Sequence, residues 1–295
     1  MQIPDQPPLP SGLDTSNLVE AREPIVIAQH QPIGPNNPPW GVGVALLVWL
    51  VSLILMFVVP VIFLLPYAYM KGLQSFDPLS PTSILLQVIA LFPTHLLTFA
   101  IVWMVVTRLG RYSFKEAIGW GWVRGVRLWS CIGLGVLLFI MGSAIAKLLG
   151  ADKPTQLEQI INSSLAARYT ISFLAVFTAP LVEELIYRGV LYAPLQRLLG
   201  IPAAVTIVLL LFTIIHVPQY WPNVGVIIAV ALLSIVLTLM RAYSGRLLPC
   251  IVIHLVFNGV QAVLLIAEPH LQRFITPVDP TLPSAFIVPL FSQLM

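Results

Sequence analysis

From residue 41 to residue 267 the chain is a succession of apolar stretches separated by short polar breaks. A helix needs roughly 18–25 mostly apolar residues to cross about 30 Å of hydrocarbon. Seven segments approach that pattern: Gly41–Tyr67, Ser83–Val106, Leu128–Leu149, Ile171–Tyr192, Ala203–His216, Val224–Ala242 and Leu248–Ala267. They are too long and too continuously apolar for barrel strands, so helices must satisfy the backbone inside the bilayer. Ala285 to Leu294 is apolar but short, which suits a partial or interfacial eighth helix. The expected fold is an all-α integral membrane protein, a polytopic bundle of seven to eight transmembrane helices.

The breaks divide the chain further. Residues 1–40 are polar and proline-rich and are expected to form a disordered cytoplasmic tail. They lack the basic start and short apolar run of a cleaved secretory signal. Residues 41–150 form the N-terminal spans, residues 166–267 a helical core and residues 268–295 a C-terminal segment with a possible short helix. Within the first group, Ser113 to Val123 mixes Phe114, Ile118, Trp120 and Trp122 with charges, which suggests an amphipathic element at the membrane surface.

Composition agrees with the pattern. Hydrophobic residues make up 58% of the chain and charged residues 9%, against about 25% charged in soluble domains. Mean hydropathy is +0.93. The lipid bilayer is therefore the first partner, in a multi-pass protein of the cell membrane if the source is prokaryotic. The net charge of +3 gives no sign of nucleic-acid binding. Cys131 and Cys250 both fall in apolar spans and read as small core residues, not as a disulfide or zinc pattern. The positive charges concentrate in Arg108, Arg111, Lys115, Arg124 and Arg127 after the second span. Basic loops stay in the cytoplasm, and alternation then places Arg197, Arg241 and Arg246 on the same side.

Against this background a few polar side chains stand out. Glu183 and Glu184 lie side by side within Ile171–Tyr192, with Arg188 one turn later. Each such charge at the bilayer centre costs roughly 2.5–3.5 kcal/mol on insertion scales, so a functional site is the default reading. Glu184 and Arg188 are four apart, share a helix face and can pair. Glu183 is rotated about 100° away and is left for proton chemistry. The fifth span ends in Phe212-x-x-x-His216 and the seventh carries His254-x-x-x-Asn258. A hairpin turning near Gly200 brings position 184 level with position 216, so the three clusters can meet inside the bundle. A carboxylate can take a proton from water and return it to a leaving amine. Histidine can orient that water or hold a metal that acidifies it. A second histidine and an amide can stabilise an oxyanion. That set supports peptide hydrolysis. His95 in the second span reads as a packing group, and Tyr187 and Trp221 as wall or anchoring residues.

The order Glu183-Glu184-x-x-x-Arg188, Phe212-x-x-x-His216, His254-x-x-x-Asn258 resembles the CPBP intramembrane protease family, which includes type II CAAX prenyl endopeptidases and Abi-like proteins. The resemblance implies that Glu183 activates water with help from His216. It implies that His254 and Asn258 hold the oxyanion and that Glu184 and Arg188 support them. The family is commonly described as metalloproteases, which would make Glu183, His216 and His254 ligands of a divalent metal such as zinc; a metal-free glutamate mechanism fits equally. The implied substrate is a membrane-associated peptide or protein, with lipidation as one option. Two other classes compete: a non-catalytic scaffold or immunity-type protein on the same fold, and a proton-coupled transporter using the same polar groups as relays.

Overall fold

The computed structural model describes residues 32–72 and 74–275. Among these residues the fold is helical, with a single isolated antiparallel bridge between Gly34 and Asn37. The long helices are α1 (Val42–Lys71), α2 (Pro81–Ile89) continued by α3 (Leu91–Thr107), α5 (Leu128–Leu148), α10 (Val224–Ser244) and α11 (Leu248–Ile275). Between α5 and α10 one helical stretch, Leu165–Tyr220, is 56 residues long. It contains α7 (Leu165–Phe173), α8 (Ala179–Glu184) and α9 (Tyr192–Tyr220).

That stretch is too long for one crossing, and it folds back at Gly200, where φ is 81° and ψ is 171°. A side chain there would clash with its own backbone, so glycine makes the reversal possible. Edge-on packing of the Tyr187 and Phe212 rings, centroids 5.0 Å apart, joins the two arms. Counted as two arms, this stretch brings the described residues to seven passes, and the bundle is the all-α polytopic fold expected. The suggested eighth helix at Ala285–Leu294 lies outside the described residues, as does most of the N-terminal tail.

Short helices begin where side chains can cap them. Ser80 accepts from the Ser83 N–H before α2, with Pro81 at the first turn. Thr155 and Glu158 form a reciprocal capping box at the start of α6 (Gln156–Asn162). This helix occupies what the hydropathy pattern presents as a plain loop. Ser113 caps α4 (Phe114–Ile118), the expected amphipathic element. It is only five residues long, and Ile118 is turned fully into the protein instead of toward lipid.

The helices sort by what covers them. The outward face of α1 exposes Leu47, Leu50, Ile54, Phe57 and Val61, as a lipid-facing helix must. Inside, α5 packs against α10 and α11. The approach is close: a Cβ on Gly225 of α10 would lie 2.7 Å from the Ala146 Cα of α5. Small residues at crossings are the usual device for packing helices in lipid, where no hydrophobic effect drives them together.

At one end of the bundle the basic segments gather. The Leu247 N–H donates to the Gly119 carbonyl, and Arg197 reaches Asn37 and Pro38. The final part of the expected disordered tail is therefore ordered. Residues 33–40 are held there, with the Trp40 indole buried and donating to the Val190 carbonyl at 2.9 Å. Arg241, read from sequence as a loop charge, is also fully buried. Its guanidinium donates to the Arg188 carbonyl, to Asn36 Oδ1 and to the Pro35 carbonyl.

Candidate active site

Two π-helical turns, Leu174–Thr178 and Leu185–Leu191, flank the short helix α8 that carries Glu183 and Glu184. Such wide turns rotate the next stretch of helix about its axis and are frequent at functional sites. The first has a visible cause. The Ala179 N–H donates to the Leu174 carbonyl five residues back. The matching donor for the Ala175 carbonyl would be residue 180, which is proline and has no N–H. The Asn258 amide takes that carbonyl, with Nδ2 at 2.8 Å. Asn258 of α11 is thereby tied to the glutamate-bearing segment, and its second amide N–H and its Oδ1 stay available.

The two glutamates separate as their spacing suggested. Glu184 is fully buried. Its Oε1 accepts from Arg188 Nη1 at 2.9 Å and from His254 Nδ1 at 2.8 Å, while Oε2 has no protein partner. Arg188, also fully buried, spends its remaining donors on α10: Nη2 reaches the Ser234 carbonyl and Oγ at 3.0 Å each, and Nε reaches Thr238 Oγ1 at 3.3 Å. Thr238 can accept because its own proton goes to the Ser234 carbonyl. The guanidinium also sits 4.7 Å from the centroid of the Phe212 ring. One arginine thus fastens α8, α9, α10 and, through Glu184, α11.

Glu183 points elsewhere. Its side chain keeps 21% exposure and lines a cavity of about 190 Å³ together with His95, His216, His254 and Asn258. A single water needs only about 10–15 Å³ on this kind of measure. His254 lies between the two carboxylates, with Nδ1 on Glu184 and Nε2 3.7 Å from Glu183 Oε2. His216 gives its Nδ1 proton to the Phe212 carbonyl at 2.7 Å, which leaves Nε2 as the acceptor of the neutral ring. Its ring lies 4.6 Å from that of Phe212 and nearly parallel to Tyr220. Glu183, His216, His254 and Asn258, expected from sequence to converge, share one cavity; Glu184 and Arg188 stand behind it.

Other residues carry more of the site than the sequence pattern indicates. His95 of α3 lines the same cavity and bonds Thr178 Oγ1 through Nδ1 at 2.8 Å, next to the first π turn. As the Thr178 hydroxyl donates to the Leu174 carbonyl, the His95 Nδ1–H is the donor to Thr178. Nothing in the periodicity of the second span distinguishes this histidine from a packing group. Ser234, Thr238 and Arg241 do carry a signal, a polar stripe along one face of the otherwise apolar α10. Tyr187 is buried and accepts from the Trp49 indole, and Trp221 is exposed; its neighbour Tyr220 lines the cavity, as does Phe212.

The metal expectation concerns Glu183, His216 and His254. Among the described residues, no three His, Cys, Asp or Glu side chains are grouped so as to hold a metal ion.

The fold and this cavity define a class: an integral membrane protein that encloses carboxylate, imidazole and amide groups within its helical bundle. Residues 166–260 match the family of Rce1-like type II CAAX prenyl endopeptidases. The matched segment contains Glu183, Glu184, Arg188, His216, His254 and Asn258 but not His95. No curated protein and no solved structure matches the chain.

Proposed function

We propose that this protein is an intramembrane endopeptidase in which Glu183 activates water against a peptide bond of a membrane-associated protein or peptide. The observation that carries the reading is the shared cavity: Glu183, His216, His254 and Asn258, from three separate passes, all line it. Glu183 takes a proton from water as the water oxygen bonds to the carbonyl carbon. His216 orients that water through Nε2. The developing oxyanion is met by the free amide N–H of Asn258 and by His254. Glu184 accepts the Nδ1–H of His254 and fixes the ring with Nε2 toward Glu183, where it donates to the oxyanion when it carries a proton. As the C–N bond breaks, Glu183 returns the proton to the leaving amine. The matched family, one of endopeptidases by its description, supports the same reaction class.

The test uses purified protein in liposomes with a library of membrane-associated peptides, read by mass spectrometry. Glu183→Gln is expected to lower cleavage by about 10²–10⁴-fold, the usual contribution of general acid–base catalysis, while thermal unfolding stays near that of the parent. Unchanged cleavage in this variant removes Glu183 from the mechanism. A chelator such as 1,10-phenanthroline is expected to leave the rate unaltered, and a loss restored by zinc would overturn the metal-free form.

A further inference from the structure

A second cavity, of about 500 Å³, adjoins the first and shares with it walls formed by Leu157, Ile171, Ala175, Tyr220, Asn258 and Gln261. Asn258 is common to both, so the second cavity is a vestibule leading to the site. Its other walls come from one end of the bundle only. They are the segment after α5 with the first turn of α6 (Asp152, Thr155, Glu158), the last turn of α7 (Ser172), Asn223 between α9 and α10, and the late part of α11 (Leu265).

The mouth is built from specific polar contacts. Asn223 clasps Lys153 in both directions, Nδ2 to the carbonyl at 2.8 Å and Oδ1 from the N–H at 3.3 Å. Arg168 ties α7 to α11 through the Leu265 carbonyl and Glu268, and to Asn162 at the end of α6 at 2.7 Å. These contacts fasten the short helix α6 beside the opening.

The basic segments lie at the other end. Arg108, Arg111, Lys115, Arg124 and Arg127 fall between α3 and α5, Arg197 at the Gly200 reversal and Arg246 between α10 and α11. Glu116 is the one acidic residue in those three segments. Around the mouth the charges are mixed: Lys147, Lys153 and Arg168 with Asp152, Glu158 and Glu268. Lys and Arg in short loops hold the end that carries them in the cytoplasm.

Resting on the proteolytic reading, we propose that the site is entered from the non-cytoplasmic face, and that its substrate is a peptide segment of an exported or membrane-anchored protein lying on that side. A tail lipidated in the cytoplasm would meet the arginine-rich end of the bundle, where the pocket lined by Trp40, Met104, Arg108 and Arg111 shares no wall residue with the site. The vestibule instead admits an extended chain arriving past α6, which reaches Glu183 by way of Asn258.

Cysteine accessibility tests this without a known substrate. The native Cys131 and Cys250 are buried, so the parent chain supplies the background. Gln159→Cys in α6, Gln261→Cys in the wall common to both cavities and Arg111→Cys in the basic segment are treated with a small membrane-impermeant thiol reagent, in intact cells and in inside-out vesicles. The expected result is labelling of positions 159 and 261 in intact cells and of 111 only in inside-out vesicles. A bulky impermeant maleimide on 159 should also diminish the labelling of 261. Labelling of 261 only from the cytoplasmic face overturns the proposal, and so does no labelling from either face while 159 and 111 react. The reversed pattern at 159 and 111 does so too. Glu183→Gln cleavage assays stand apart from these readouts: a topology failure leaves the protease reading intact, and an inactive site leaves the topology intact.

Discussion

At the residue scale, the division of labour between adjacent glutamates comes from what each one touches. Glu184 is enclosed by Arg188 and His254, whereas Glu183 faces the cavity. Removing one member of a buried charged pair strands the other and typically costs about 3–5 kcal/mol. Arg188→Met is therefore expected to destabilise the protein by about that much, seen as a lower unfolding temperature in detergent. Retained stability would mean that Arg188 is not the fastening between helices. His95 makes a different prediction. It reaches the cavity from outside the matched segment, with its Nδ1–H held by Thr178. As a positioning residue it should influence turnover more than binding: His95→Gln lowers kcat by about tenfold with KM little altered. Equal losses of activity and folded protein would reduce it to packing. The Glu184–Arg188 pair was legible because i,i+4 spacing defines a helix face. His95 was not, because a lone histidine's partners come from another helix.

At the element scale, the long passes arise from apolar length, and their assembly arises from small local exceptions. Gly200 permits the reversal that brings His216 level with Glu183. Gly200→Ala should strain that turn by about 1–3 kcal/mol and lower the unfolding temperature, whereas an unaffected variant would show that the reversal does not need positive φ. Gly225 permits the close crossing of α5 and α10. Gly225→Leu should force those helices apart at a cost of about 1–3 kcal/mol or more, read as reduced yield of folded monomer. Normal yield would show that the crossing adapts. The π turns were the least legible elements. Pro180 leaves the Ala175 carbonyl without a backbone donor, and only the fold shows Asn258 as its partner.

At the scale of the whole molecule, residues 33–40 and Arg241 are tied together at the basic end, while α6 and Asn223 shape the opposite one. Removing the Trp40 anchor should loosen the first of these. Trp40→Ala is expected to lose about 3–5 kcal/mol, the usual effect of deleting a buried tryptophan, and to expose the neighbouring segment to limited proteolysis; unchanged protease resistance would count against a structural role for the segment. The sequence by itself determined the membrane class, the approximate passes, the costly polar residues and the basic clustering. Each of these depends on composition and spacing along a single helix, where transfer energy and the helical period act locally. Only the tertiary structure decided that Asn258 binds the Ala175 carbonyl, that His95 joins the cavity, that α10 receives Arg188 and that a second cavity beside α6 and Asn223 shares Asn258 with the first. Those outcomes depend on how separate helices rotate against one another, and the π turns and glycine crossings that set the rotation act between residues distant in the chain.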